Sequence, residues 1–284
     1  MILVTGATGT IGRALLDELA TTDEPVRALT RRPGHAGLPP HVEVVGGDLD
    51  DPDSLEDAVR GVDRVFLVST GPDGPVQDRT LAEAAAKAGA VHIVKLSTLG
   101  VGDDDIDDPI TRWHRAGEDA VRDVGVPATF LRPTGFTSNA LQWTGTIADH
   151  DTVYHPYGDG RVTLIDPRDI AAVAARALTR PGHEGRAYPL CGPEALGPAD
   201  EVAILAEVLG RPLRYVEVSP ETAHRAMTDR GMSTVLADAV VAKGATTRRP
   251  GVSAPDGTLG RLIDTPPRTF RDWARDHAAA FARR

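Results

Sequence analysis

The chain opens Met-Ile-Leu-Val-Thr-Gly-Ala-Thr-Gly-Thr-Ile-Gly, an apolar run that ends in glycines at positions 6, 9 and 12. An amphipathic stretch from Arg13 to Ala20 follows at once. This order predicts a strand that feeds a helix through a turn with no room for side chains. Gly6 allows the tight turn, Gly9 lets a ligand approach the backbone, and Gly12 lets the helix pack against the strand. The first amides of the helix and the positive end of its dipole then face outward, where a pyrophosphate binds. Gly6, Thr8, Gly9, Thr10, Ile11 and Gly12 are the candidate residues for that contact.

The rest of the first half repeats the rhythm. Apolar strands near 1–5, 25–30, 42–46, 64–69, 91–97 and 127–131 alternate with helices near 10–21, 53–60, 75–89 and 111–125. Alternation of this kind predicts a parallel, doubly wound α/β sheet of Rossmann type, covered on both faces. Asp51-Pro52 suits the start of the second helix, and Gly89 and Gly125 suit the ends of the third and fourth. Beyond Pro133 the spacing loosens. Helices are expected at 136–149, 166–180, 198–209, 219–230 and 233–243, and short strands at 161–165, 187–190 and 213–217. A turn is expected at 157–160 and a Pro/Gly-rich loop at 249–257. The expected organisation is a dinucleotide-binding core over 1–150. The remainder of the sheet and a smaller substrate-capping lobe take up 151–284.

Composition narrows the class further. The formal net charge is −10 and no basic stripe stands out, which argues against nucleic acid as a partner. No apolar run approaches the roughly 20 residues of a membrane span, and a chain that opens on a strand leads us to expect a cytoplasmic protein without a secretory leader. Cys191, the single cysteine, lies between Leu190 and Gly192 and reads as a small buried residue. The run Asp103, Asp104, Asp105, Asp107 and Asp108 reads as a solvated loop, and no metal site is expected.

Strand ends supply the cofactor candidates. An acidic residue about 20 positions past the glycines marks NAD selectivity, but here the second strand ends Leu29-Thr30-Arg31-Arg32-Pro33. Arg31 and Arg32 suit a 2′-phosphate, so the pattern favours NADP(H) over NAD(H). Asp48 and Leu49 end the third strand, where a carboxylate accepts from the adenine amino group or caps a helix. Ser69 and Thr70 end the fourth, and their small size lets backbone lie beside the nicotinamide ribose.

The glycine spacing resembles that of the extended and atypical short-chain dehydrogenases/reductases. Most of that superfamily places a Tyr-x-x-x-Lys pair on the helix after the fifth strand, but this chain has none. Its tyrosines are 154, 157, 188 and 215, and its lysines are 87, 95 and 243. Ser97 does end the fifth strand, while Ile110 and His114 stand at the positions of the tyrosine and lysine.

Together with Arg31-Arg-Pro, Gly47-Asp-Leu-Asp-Asp-Pro, Leu131-Arg-Pro-Thr-Gly-Phe with Asn139, Asp166-Pro-Arg-Asp-Ile-Ala, Leu190-Cys-Gly-Pro-Glu-Ala-Leu and Pro266-Pro-Arg-Thr-Phe, that absence gives a specific resemblance. The chain resembles the NmrA-like atypical short-chain reductases, which include NAD(P)H:quinone reductases, azoreductase-like enzymes and redox-sensing regulators.

The resemblance implies that Pro133, Thr134 and Phe136 lie near the nicotinamide. Ser97 and His114 become the candidate catalytic residues. Leu99, Trp113, Phe136, Asn139 and Trp143 are candidates for a flat apolar pocket, with ordinary core as the alternative for each, and Tyr157 is a substrate candidate in a loop expected to fold over that pocket. Asp166 and Asp169 read as helix-start caps. The expected activity is NADPH-dependent hydride transfer to a conjugated carbonyl in a small quinone or aromatic polyketone, by a monomer or homodimer. A sensor that binds NADP without turnover, and a ketoreductase dedicated to one biosynthetic pathway, are the alternatives.

Overall fold

In the computed structural model, residues 1–247 and 257–283 are described. In chain order the first half contains β1 (Ile2–Val4), α1 (Thr10–Leu19), β2 (Val26–Thr30), β3 (Glu43–Gly46) and α2 (Glu56–Val59). It continues with β4 (Arg64–Leu67), α3 (Gly74–Lys87), β5 (His92–Leu96), α4 (Pro109–Val124) and β6 (Ala128–Pro133). The second half contains α5 (Thr144–His150), β7 (Thr152–His155), β8 (Val162–Thr163), α6 (Pro167–Thr179), β9 (Ala187–Leu190) and β10 (Ala195–Leu196). Then come α7 (Pro198–Leu209), β11 (Arg214–Glu217), α8 (Pro220–Asp229), α9 (Thr234–Thr247), α10 (Thr258–Leu262) and α11 (Phe270–Asp276).

The chain forms two compact units interleaved in sequence, not divided at residue 150. The first unit is Met1–Gly102, Thr111–Pro133 and Pro167–Leu190. It carries a sheet in the order β3-β2-β1-β4-β5-β6-β9, and every pairing in it is parallel. Helical crossovers cover both faces, and this explains why Ile2, Leu3 and Val4 are all fully buried. α1 turns Ile11, Leu15, Leu16 and Leu19 inward and packs on α6, whose small Ala171 and Ala174 admit it closely. The order of the strands reverses between β1 and β4, and in such sheets ligands bind at that switch point, beyond the carboxyl ends of the strands.

The second unit is Asp103–Ile110, Thr134–Asp166 and Cys191–Arg284. Its own core gathers Trp143, Ile147, Val153, Leu205, Phe270, Trp273 and Phe281. β7 pairs in parallel with β11, and β8 pairs antiparallel with β10. No described helix is long and apolar enough to cross a membrane.

Three expected elements change form. The helix over 53–60 becomes a 3-10 turn at Pro52–Leu55 followed by the four-residue α2. Asp51 makes no capping bond there. The Ser54 hydroxyl instead donates to Asp51 O and accepts the Asp48 amide. The helix over 136–149 splits into a 3-10 segment, Thr137–Trp143, and α5. The strand over 161–165 shortens to β8. The loop expected at 249–257 lies outside the described residues except for Gly257.

Candidate cofactor and active site

The glycine turn follows β1 at the switch point. Gly6 adopts φ +60°, a left-handed conformation that disfavours side chains. At Gly12 a Cβ would overlap the Gly6 carbonyl oxygen and lie 2.7 Å from Ala7 Cα, so this glycine serves helix-on-turn packing. Gly9 differs. It is exposed and extended, and a Cβ there would meet only the Gly6 oxygen at 3.1 Å. No side chain caps the first amides of α1, and its first turn holds no acidic residue. An open approach and uncapped amides are the features a pyrophosphate site needs.

Arg31 and Arg32 continue beyond Thr30, the last residue of β2, and both are exposed. Neither guanidinium has a hydrogen-bond or ion-pair partner among the described residues. At the end of β3 the half-buried Asp48 accepts the Asp50 amide on Oδ1, at 3.2 Å. Leu49 beside it is also half-buried.

At the ends of β4 and β5 the structure reveals two polar clusters. Ser69 is buried and donates to Asp78 Oδ1 at 2.7 Å, while Thr70 beside it is exposed. The fully buried Lys95 pairs with Asp78 Oδ2 at 2.7 Å. Gly117 of α4 completes the fit, because a Cβ there would overlap Asp78 Oδ2. The second cluster corrects the expectation for Ser97. Its hydroxyl is buried and donates to Glu118 Oε1 at 2.6 Å, so its proton is committed inside the protein. Glu118 also accepts Arg132 Nε at 2.9 Å and Arg132 and Arg122 terminal nitrogens at 2.6 Å each. Burial pushes the Glu118 carboxyl up. Hydrogen bonds from Arg132 and Ser97 and the two arginine charges outweigh that, and its pKa lies below the ordinary value.

The remaining candidates divide between the units. Leu99 (in the 3-10 turn Leu99–Gly102), Trp113 and His114 are half-buried in the first. His114 lies one helical turn before Glu118 on the same side of α4. Pro133 ends β6 and is buried. Thr134, Phe136, Asn139, Trp143 and Tyr157 belong to the second unit. There Thr134 donates to Thr163 O, the half-buried Phe136 bridges Ile165 through its backbone, and Asn139 is exposed.

Two pocket expectations are corrected. Trp143 is 5% exposed and packs edge-on against His155 within the second core, so it is core and not pocket wall. Tyr157 does not end a free loop. Its hydroxyl donates to Val240 O at 3.0 Å, and its ring leaves no room for a Cβ at Gly244. Asp108 likewise departs from its solvated-loop reading, since it is 2% exposed and 3.3 Å from Lys243. Asp166 is buried against Arg268 at 2.9 Å, a tertiary ion pair beyond any capping role. Cys191 is buried and belongs to no disulfide, as its neighbours in the sequence suggest. No described His, Cys, Asp and Glu residues cluster in a way that could hold a metal ion.

A family profile described as NAD(P)H-binding matches residues 6–181. The chain belongs to that NAD(P)H-binding family. Within it the chain is an NAD(P)H-dependent oxidoreductase. A (4-alkanoyl-5-oxo-2,5-dihydrofuran-3-yl)methyl phosphate reductase of Streptomyces griseus is 46% identical over 99% of both chains. An NAD(P)H azoreductase of Xenophilus azovorans is 40% identical over 99% of both. Among solved structures, the Escherichia coli quinone oxidoreductase QOR2 in complex with NADPH has a TM-score of 0.83 and 27% identity. The match covers 98% of this chain and 100% of that one.

Sequence reasoning missed Asp78, Lys95, Glu118 and Arg132. One signal was available: Lys95 and Arg132 are charges within mostly apolar strands, and a buried charge requires a partner.

Proposed function

We propose that this family member reduces a conjugated carbonyl compound, a quinone or aromatic polyketone, and uses NADPH in preference to NADH. The proton inventory at the end of β5 carries this reading. Ile110 stands where the superfamily's acid would be, and the Ser97 hydroxyl already donates to Glu118. An isolated ketone becomes a localised alkoxide that needs a positioned donor. A quinone or other extended acceptor spreads the charge, and water or the product's own hydroxyls then complete the protonation.

The residues present fit the cofactor. The uncapped α1 amides and the open face at Gly9 suit a pyrophosphate, and the uncommitted Arg31 and Arg32 suit a 2′-phosphate. Asp48 keeps Oδ2 for the adenine amino group, and the β4 end at Ser69 and Thr70 supports the ribose. Pro133, Thr134 and Phe136 border the nicotinamide, and the proline-fixed backbone orients the ring. When bound, NADPH supplies the hydride from C4 of its nicotinamide. Leu99, Trp113, His114, Phe136 and Asn139 remain the candidates for contact with the acceptor. On this reading the protein works in the cytoplasm, as a monomer or homodimer, on small aromatic or quinone-like molecules.

A second reading is favoured by the 46% identical relative, whose named substrate is an unsaturated lactone bearing an acyl group and a phosphate ester. Hydride addition to such an alkene gives a delocalised enolate, so the same lack of a protein acid is tolerated. NADPH-oxidation assays against quinones, azo dyes, acyl-butenolide phosphates and unconjugated ketones test both readings. Turnover confined to conjugated acceptors is expected, and efficient reduction of an unconjugated ketone overturns the proposal.

A further inference from the structure

We propose that Arg13 is a positioning residue for cofactor preference, holding the arginine-bearing loop against the glycine turn. The inference rests on reading Arg31 and Arg32 as the 2′-phosphate ligands. Arg13 follows Gly12 directly in α1. Its Nε donates to Thr8 O, inside the glycine turn, at 3.1 Å. Its two terminal nitrogens donate to Gly37 O and Ala36 O, each at 3.1 Å. One guanidinium therefore ties the turn after β1 to the loop after β2.

The loop is fixed at both ends. Thr30 is held by the β2–β3 ladder, and Ala36 and Gly37 are held by Arg13. Between them the 3-10 turn Pro33–His35 is closed by the His35 and Ala36 amides, which donate to Arg32 O and Pro33 O. The backbone that carries Arg31 and Arg32 is thus held in place while both side chains stay exposed and uncommitted. A planar fork that bridges two successive carbonyls and a third one cannot be reproduced by the single ammonium of lysine. A phosphate that meets guanidiniums carried on a prearranged backbone pays less for ordering the loop on binding. NADH lacks the 2′-phosphate and gains nothing from that arrangement.

Dissociation constants for NADPH and NADH, from nucleotide-fluorescence titration, test the proposal in wild type, Arg13→Ala, Arg13→Lys, the Arg31→Ala/Arg32→Ala pair and the triple variant. Arg13→Ala should weaken NADPH about five- to tenfold, the effect of releasing the loop backbone that must be reordered on binding, with NADH changed less than about twofold. Arg13→Lys should fall between wild type and alanine, and it carries the test if the alanine variant does not fold. Because coupled residues are not additive, Arg13→Ala should cost less than about twofold when Arg31 and Arg32 are already gone. Equal weakening of both nucleotides, or none, overturns the proposal. An undiminished effect in the arginine-free background also overturns it, and makes Arg13 a direct ligand. Unchanged NADPH affinity after removal of Arg31 and Arg32 instead refutes the phosphate-site reading, and the role of Arg13 with it.

Discussion

Gly9→Val should abolish dinucleotide binding and leave a folded protein. Gly9 sits at φ −82° and ψ 176°, extended backbone that valine adopts without strain. Its new Cβ would lie 3.1 Å from the Gly6 oxygen, so the turn must yield by a few tenths of an ångström, at about 1 kcal/mol. The reduced entropy of the unfolded chain returns about 0.4–1 kcal/mol. Melting temperature should therefore move by no more than about 2–4 °C. Binding has no such offset, because the isopropyl group occupies the space in front of the α1 amides. Losing two charge-assisted bonds of about 1.5–3 kcal/mol each weakens the nucleotide on the order of 10²–10⁴-fold. Gly12→Ala is the contrasting control: its Cβ overlaps the Gly6 carbonyl, and it should cost about 3 kcal/mol or more of stability. Circular dichroism melts and NADPH titration on the purified variants separate the two effects. Normal NADPH affinity in Gly9→Val, or a melted protein, would refute this division of labour between the glycines.

Arg31→Ala should cost about 1.5–3 kcal/mol of NADPH binding and spare NADH; equal changes measured by titration contradict the assignment. Ser97→Ala and Tyr157→Phe should each keep quinone reduction within about tenfold of wild type, because loss of a general acid costs about 10²–10⁴-fold. A larger fall in steady-state rate for either would make that hydroxyl the proton source. Glu118→Ala leaves Arg132 without its bidentate partner and should cost about 3–5 kcal/mol in urea denaturation; a change under about 1 kcal/mol would show that the cluster contributes little. The lowered pKa of Glu118 gives its stabilisation a sign. The contribution is complete above the ordinary glutamate value of about 4.3 and is lost as pH falls through the lower folded value. Urea midpoints followed into acid should fall less steeply for Glu118→Gln than for wild type, and parallel curves would argue against the linkage.

The sheet was legible because its signals are local. Strand-sized apolar runs, the glycine turn and the chain-stopping Gly89 and Gly125 each act within a few residues. α3, α4, α6 and α7 accordingly fall within two residues of their expected ends. The second unit was less legible because long-range partners decide its elements. β7 exists by virtue of β11, and Trp143 is core only because α7 and α11 bring Leu205 and Phe270 to it. The site was half legible for the same reason. Exposed backbone at Gly9 and free arginines at a strand end follow from sequence order. That Ser97 has no spare proton depends on Glu118, which lies 21 positions away and is itself held by Arg132.

The pairing of β7 with β11 also bears on synthesis. A chain leaving the ribosome exposes Thr152–His155 before its partner exists, and the register joins Thr152 to Arg214. At translation rates of about 5–20 residues per second, β7 waits about 3–12 seconds for β11. Throughout that interval its amides and carbonyls form an open template for other nascent strands. In the first unit β1 waits as long for β4, but it already pairs with β2 on its other side, and six strands of that sheet are complete by Pro133. A stop codon placed after β9 would therefore release a chain with all seven strands of the nucleotide sheet and an orphaned β7, and such a fragment should aggregate through that strand.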